Sequence, residues 1–257
     1  LSLAESVKGK VSPRPPVGAV IVKNSKILGR GHTSINPIKH AEIMAIEKAG
    51  ENCEGSVLYT TLEPCYHYGS TSPCVDSIIK AGISKVITPL RDPNPEVNGK
   101  SIEKLKNSGI EVSKDINNDE IDKAKELIEG FKHFLITKRP FVTVKYAMTL
   151  DGKISSKIGD STWISNNQSR KIVHKLRSES DAVLIGINTL LTDNPKLNAR
   201  NGFSGPKFRV VLDSNSKAPN NSNLFKTSGQ ILIYSTKINS KKQINNVEYI
   251  KTNPSNE

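Results

Sequence analysis

Cysteine is scarce in this 257-residue chain: Cys53, Cys65 and Cys74 are all it has. Three thiols cannot build a disulfide framework, and an odd number suits a reducing compartment, so a cytoplasmic protein is expected. Long apolar runs are missing as well. Stretches such as Val17–Val22 and Ala182–Ile187 fall far short of the roughly 20 residues that a membrane helix needs, and no signal-peptide pattern opens the chain. Membrane association is therefore not expected. Aromatic residues make up only 5% of the chain, with Trp163 the single tryptophan. That is thin material for stacking unpaired bases. Acidic residues are short in one half only: residues 1–135 hold 18 basic against 17 acidic side chains, residues 136–257 hold 19 against 8. A basic second half fits an anionic ligand, whether phosphorylated metabolite, dinucleotide or nucleic acid, and fits lysines spread over solvated faces equally well.

What is present is an α/β pattern, short β-branched runs alternating with helical periodicity. Val17–Lys23 and Lys26–Gly31 read as a hairpin across Asn24-Ser25, and Ser56–Thr61 and Lys85–Pro89 as strands. Helices are expected over His40–Ala49, stopped by Gly50, over Pro73–Ala81, stopped by Gly82, and over Ser101–Ser108 and Glu120–Leu135. Thr137-Lys-Arg-Pro140 is the best boundary, since the proline biases Arg139 away from helix. It divides the chain into domains 1–137 and 141–257. In the second, Phe141–Ala147, Ala182–Gly186, Phe208–Asp213 and Gln230–Ser235 read as strands and Asn167–Ser178 as a helix. The chain opens at Leu1 inside a helical pattern, as expected of a clipped start, and closes on a polar tail from Lys251.

The decisive constellation is His40-Ala41-Glu42, then Pro64-Cys65, then Cys74. A catalytic zinc takes three protein ligands and keeps one position open for water. One imidazole and two thiolates supply the three, which leaves Glu42 as a carboxylate off the metal. H-x-E followed by P-C and a second cysteine is the signature of zinc nucleobase deaminases, although here eight residues rather than two separate the cysteines. Pro73 is expected as the first helical residue, which places Cys74 in a first turn whose dipole favours thiolate. Residues i and i+2 do not share a helix face, so His40 and Glu42 can converge only if His40 sits at an irregular start. Bound zinc would acidify a water, and Glu42 would carry protons to the ring nitrogen and to departing ammonia. The competing reading is a closed structural site, with His67 as fourth ligand. Cys53 has no partner in either.

The stretch Leu62-Glu-Pro-Cys-Tyr-His-Tyr-Gly-Ser-Thr-Ser-Pro-Cys74 resembles one family closely: the bifunctional riboflavin-biosynthesis enzymes, a pyrimidine deaminase fused to a phosphoribosylaminouracil reductase. Asp92-Pro-Asn-Pro95, Gly99-Lys100, Arg139-Pro-Phe-Val142, Lys145, Thr149-Leu-Asp-Gly-Lys153, Ser161-Thr-Trp-Ile164, Asp193-Asn-Pro195 and Val211-Leu-Asp-Ser214 extend the resemblance over nearly the whole chain. It implies a cytidine-deaminase-like three-layer domain followed by a dihydrofolate-reductase-like α/β domain. It implies zinc at His40, Cys65 and Cys74, proton transfer by Glu42, and a substrate contact at His67. For the reductase it implies NADPH contacts at Ala147, Trp163, Thr189, Asp193 and Ser214. Substrate contacts would fall at Ser161, Arg177, Leu197 and Arg200. The substrate would be a small phosphorylated pyrimidine, with no nucleic-acid partner, and the enzyme a homo-oligomer.

From the residues alone, Arg177 and Arg200 suit bidentate phosphate binding, yet an arginine late in a helix is more often a solvated cap. Trp163 could stack on a nicotinamide, but core packing is the commoner role of a lone tryptophan. Three departures from the family stand out. Arg14 occupies a position usually held by asparagine, and Ser70 one usually held by a basic residue. The family's glycine-rich dinucleotide segment and a late substrate-binding glutamate lie beyond Glu257, so the second domain is expected to be incomplete and a poor reductase. The alternative is a deaminase of cytidine, or of adenosine in transfer RNA, whose basic half binds nucleic acid. The cysteine spacing and the second domain count against it.

Overall fold

The computed structural model describes residues 1–68, 72–155, 164–237 and 246–253. The chain divides into two compact units, Leu1–Thr143 and Val144–Glu257. The division falls just past the expected boundary, because Phe141 packs edge-on against His133 with ring centroids 5.6 Å apart and so stays with the first unit.

The first unit opens with α1 (Ser2–Glu5), followed by β1 (Gly18–Lys23) and β2 (Lys26–His32). The β1–β2 turn works because Asn24 and Ser25 both take positive φ, 49° and 59°, as the commonest two-residue hairpin turn requires. A small ribbon, β3 (Ser34–Ile35) with β4 (Ile38–Lys39), leads into α2 (Ala41–Ala49). Then come β5 (Val57–Thr60), α3 (Cys74–Lys80), β6 (Lys85–Ile87), α4 (Lys100–Asn107), β7 (Glu111–Ser113) and α5 (Asn118–Thr137). The sheet order is β2-β1-β5-β6-β7. β1 is antiparallel to β2 and β5, whereas β5, β6 and β7 run parallel.

Layering follows from three glycines. Gly29 and Gly31 of β2 pair with Ile21 and Ala19 of β1. A methyl group added at either would meet the backbone of α2, so α2 lies directly on this face. Gly18 neighbours Ala19 and therefore points to the opposite face, where an added methyl would meet Leu3 and Ala4 of α1. Helices thus cover both sides of β1 and β2. Ala19, Ile21, Ala41, Ala45, Leu58, Val86 and Leu105 form the centre of this core.

The second unit holds α6 (Asn167–Glu179), β8 (Ala182–Gly186), α7 (Ile187–Asp193), β9 (Phe208–Leu212), β10 (Gln230–Ser235) and β11 (Val247–Lys251). Its sheet is wholly parallel, in the order β11-β10-β9-β8. Val211, Ile231 and Ile233 point to one face, where Leu190, Leu197, Ala218, Leu224 and Phe225 bury them. Arg209 lies on β9 with this set and is 2% exposed; it donates to Thr227 Oγ1 and to the carbonyls of Ser228 and Gly229.

Two corrections concern elements. Phe141–Ala147, expected as a strand, has no strand conformation, and Val142, Val144 and Tyr146 are exposed. A β-branched run becomes a strand only beside a partner edge, and no described strand pairs with it. β3, β4, β7, α7 and β11 were not expected. In β11, Val247 and Tyr249 are half-buried against the second core, but flanking asparagines and lysines dilute that short alternation. No helix among the described residues is long and apolar enough to cross a membrane.

Candidate functional site

His40 is the residue before α2, with extended backbone (φ −83°, ψ 153°), and Ala41 starts the helix. That break lets His40 and Glu42, two apart in sequence, turn toward one point. Cys74 is the first residue of α3, and Pro73 stands just outside it at φ −57°, ψ 131°. The proline is therefore the flank of the helix and not its first residue, while the placement of Cys74 in the first turn holds. The Cys74 N–H donates to Cys65 Sγ at 3.1 Å, and the Val75 N–H to the Cys65 carbonyl at 3.2 Å. The start of α3 thus holds the Cys65 loop in place.

His40 Nδ1 lies 3.1 Å from Cys74 Sγ and 3.4 Å from Cys65 Sγ. The three donor atoms all lie within 4.8 Å of one another, and no other such group occurs among the described residues. Cys65 is drawn well toward thiolate, first by its hydrogen bond with Cys74 and then by His40. Cys74 is pushed upward by the same pairing and by burial. The two sulfurs and the imidazole face one point, the position a divalent cation takes when it displaces thiol protons. One imidazole and two sulfurs at this spacing fit zinc.

Glu42 is 4% exposed, with Oε2 3.8 Å from Cys74 Sγ. Burial pushes its carboxyl up to about 7, where it can both accept and release a proton near neutrality. His67 is not in the ligand group, and its buried Nδ1 has no hydrogen-bond partner among the described residues. Among the described residues, three donors could hold a metal with a carboxylate at their side, as a catalytic zinc site requires. His40 is raised chiefly by its hydrogen bond to Cys65, and the charge of half-buried Arg14 acts in the opposite sense. Arg14 therefore contributes positive potential at the metal centre. Ser70 lies outside the described residues.

In the second unit, Thr189 and Asp193 lie on α7, immediately after β8, and Ser214 lies just past β9. Gly186 and Leu212 pair across the two strands. Thr189 and Ser214 thus stand beyond the carboxyl ends of adjacent parallel strands, where open α/β sheets bind ligands. Thr189, Asp193 and Ser214 are all exposed. Arg177 and Arg200 line one cleft of about 280 Å³, which Ala147 also borders. Arg177 Nη1 donates to the Asn198 carbonyl at 3.2 Å, and burial lowers its pKa, with Arg200 adding to the effect. Leu197 is 4% exposed and belongs to the second core, so a ligand would reach its backbone rather than its side chain. Ser161 and Trp163 lie outside the described residues.

The cleft also draws in Lys145, Arg170 and His174, and among the described residues no acidic side chain lines it. No role was expected for these three. The signal was legible, since positions 170, 174 and 177 fall on one face of α6 at i, i+4 and i+7.

Comparison with known proteins places these features. Residues 1–89 match the family described as the cytidine and deoxycytidylate deaminase zinc-binding region, and residues 140–256 match the RibD C-terminal domain. The chain is 44% identical over 238 residues to the riboflavin biosynthesis protein RibD of Aquifex aeolicus, covering 92% of this chain and 66% of that one. It spans about three fifths to two thirds of the length of such relatives. A diaminohydroxyphosphoribosylaminopyrimidine deaminase/5-amino-6-(5-phosphoribosylamino)uracil reductase of Thermotoga maritima superposes with a TM-score of 0.85 at 39% identity, over 98% of this chain and 71% of that one. Acinetobacter baumannii RibD gives 0.83 at 35% identity, over 99% and 72%. The first unit is thus cytidine-deaminase-like and the second has the RibD reductase fold. The chain belongs to the RibD family of riboflavin biosynthesis proteins.

Proposed function

We propose that this chain acts in riboflavin biosynthesis on a phosphoribosylated pyrimidine. Its first unit removes an amino group hydrolytically, and its second reduces the ribosyl chain to ribityl. The observation that carries the reading is the three-donor centre with Glu42 buried beside it and off the ligand set. His40, Cys65 and Cys74 would hold zinc, which supplies a Lewis acid able to acidify water. Glu42 would take a proton at Oε2, deliver it to the ring nitrogen, and carry the next to departing ammonia. Its burial excludes competing water. His67 and Arg14 would orient the substrate.

In the second unit, Ala147, Thr189, Asp193 and Ser214, with Trp163, would hold NADPH, which supplies hydride. Arg177 and Arg200, with Ser161 and the Leu197 backbone, would hold the phosphorylated sugar. A cleft lined by Lys145, Arg170, Arg177 and Arg200 suits a phosphate monoester. The presence of both domains in this chain favours this substrate over cytidine or RNA. A homo-oligomeric cytoplasmic enzyme belongs to the same reading, and light scattering after size-exclusion chromatography checks its assembly.

The test is ammonia release from the phosphoribosylamino-diaminopyrimidinone, from cytidine and from an adenosine-containing RNA hairpin. Only the first should react, and Cys74→Ala should lose both zinc and ammonia release. Turnover of cytidine or RNA at a comparable rate would overturn the assignment. Oxidation of NADPH, added with the deaminated product and followed by loss of the reduced nicotinamide's absorbance, tests the second step.

A further inference from the structure

The two cysteine ligands sit on different segments. Cys65 lies in an irregular stretch, and Cys74 opens a helix of seven residues. A tetrahedral metal nevertheless needs their sulfurs at a fixed separation. Both segments lean on α4. Glu63, two residues before Cys65, is 2% exposed. Its carboxylate accepts the Gly99 N–H at 2.9 Å, the Ser101 hydroxyl at 2.6 Å and the Asp92 N–H at 3.0 Å. Gly99 is the residue before α4, and Ser101 lies in its first turn. Lys104, one turn on, donates to Asp76 Oδ1 at 2.5 Å, two residues after Cys74. Lys104 Nζ also stands 5.6 Å from the centroid of the Tyr66 ring, next in sequence to Cys65. Ser101 and Lys104 are three residues apart and share a helix face.

We propose that α4 is a brace for the metal centre: Ser101 through Glu63, and Lys104 through Asp76, set the spacing of the two thiolates and so the lifetime of bound zinc. The inference rests on His40, Cys65 and Cys74 being zinc ligands. Ser101, Glu63 and Lys104 are positioning residues, since none of them reaches the metal. The two legs are unequal. Ser101 is fully buried, so water cannot replace its bond to Glu63, whereas the Lys104 and Asp76 side chains are each 40% exposed. A buried charge-assisted bond outweighs an exposed ion pair. Partners just outside a metal's ligands typically change affinity about 10–100-fold. This brace acts through backbone rather than on a ligand atom, which sets the expected effects at the low end. Ser101→Ala should speed zinc release about tenfold, and Lys104→Met about threefold.

The experiment follows zinc transfer from the full zinc-loaded chain to a chromogenic chelator, with no dependence on activity. Compared are the unaltered chain, Ser101→Ala, Lys104→Met, Lys104→Arg, the double variant Ser101→Ala/Lys104→Met, and Ile128→Val. Ile128 belongs to the same core but not to the brace, so its variant reports general destabilisation. Release should be fastest in the double variant, near normal in Lys104→Arg, and unchanged in Ile128→Val despite a lower melting temperature. Unaltered release from Ser101→Ala and the double variant would overturn the brace while leaving the zinc assignment standing. So would equal acceleration by Ile128→Val. Absence of tightly held zinc in the unaltered chain would instead overturn the ligand assignment, and the brace with it.

Discussion

Replacing Gly31 by alanine should damage the metal centre without touching any of its ligands. The added Cβ would lie 1.9 Å from the Ala41 carbonyl oxygen, 2.8 Å from the Ala45 nitrogen and 2.9 Å from the Ala41 carbonyl carbon. All three are backbone atoms of α2, so no side chain can swing aside. Real contacts of this kind do not fall below 3.0 Å, and α2 must therefore retreat from β2 by at least about 1.1 Å. Ala41 stands between His40 and Glu42, so the retreat displaces both the metal ligand and the proton carrier. Reactive groups tolerate about 0.5 Å of misplacement, and a shift near 1 Å typically slows turnover by about 10²-fold. Overpacking of this kind lowers stability by about 1–3 kcal/mol. Gly31→Ala should thus lose zinc on dialysis, melt lower, and release ammonia about 100-fold more slowly. Gly29→Ala provides the comparison. Its Cβ would meet the Ala45 carbonyl oxygen at 2.1 Å, one turn farther from the metal. It should lose similar stability but much less activity. The assays are melting temperature, zinc per chain by mass spectrometry, and ammonia release. Native zinc content and turnover in Gly31→Ala would show that helix and strand are not in rigid contact, and would refute the reasoning.

Glu42→Gln should keep a full complement of zinc while ammonia release falls by at least about 100-fold, because a general acid–base group is lost and no ligand is; a turnover within a few-fold of normal would assign the proton to another group. Arg14 and Ser70 test as a pair: if Arg14 holds the substrate's anionic portion in place of a missing base, Ser70→Lys should restore the KM raised by Arg14→Asn, and a double-mutant cycle should show clear coupling. Purely additive effects would separate them. Gly130 lies inside α5 with only Phe141 Cβ near, at 3.8 Å. Gly130→Ala should therefore stabilise the first unit by up to about 1 kcal/mol in urea titration, and a loss of stability would mean that the helix interior is strained there.

Which parts of this molecule could be read before folding depends on how local the physics is. The turn at Asn24-Ser25 was legible because two residues decide its backbone. The irregular start of α2 was legible because H-x-E cannot converge on a regular helix. Eight residues between Cys65 and Cys74 suffice for a loop and the start of a helix, so the meeting of the two cysteines also lay within reach of a short window. Phe141–Ala147 misled because β-branched residues state a preference that only a neighbouring strand can realise. The Glu63–Ser101 bond joins residues 38 apart; nothing in either segment announces the other. The basic cleft lay between these cases. Arg170, His174 and Arg177 share a helix face by simple periodicity, yet their meeting with Lys145 and Arg200 depends on tertiary packing.

The strand orders carry a consequence for the growing chain on the ribosome. In the second unit β8, β9, β10 and β11 are neighbours in the order in which they are translated. In the first, the β1–β2 hairpin forms early, and β5, β6 and β7 then join one after another on the side of β1. No described strand of either main sheet has to insert between two that already pair. Each new strand meets a finished edge as it emerges, so both sheets can be laid down vectorially from their earliest strands. Keeping pairings near in sequence limits how long an incomplete edge stays available to a neighbouring nascent chain.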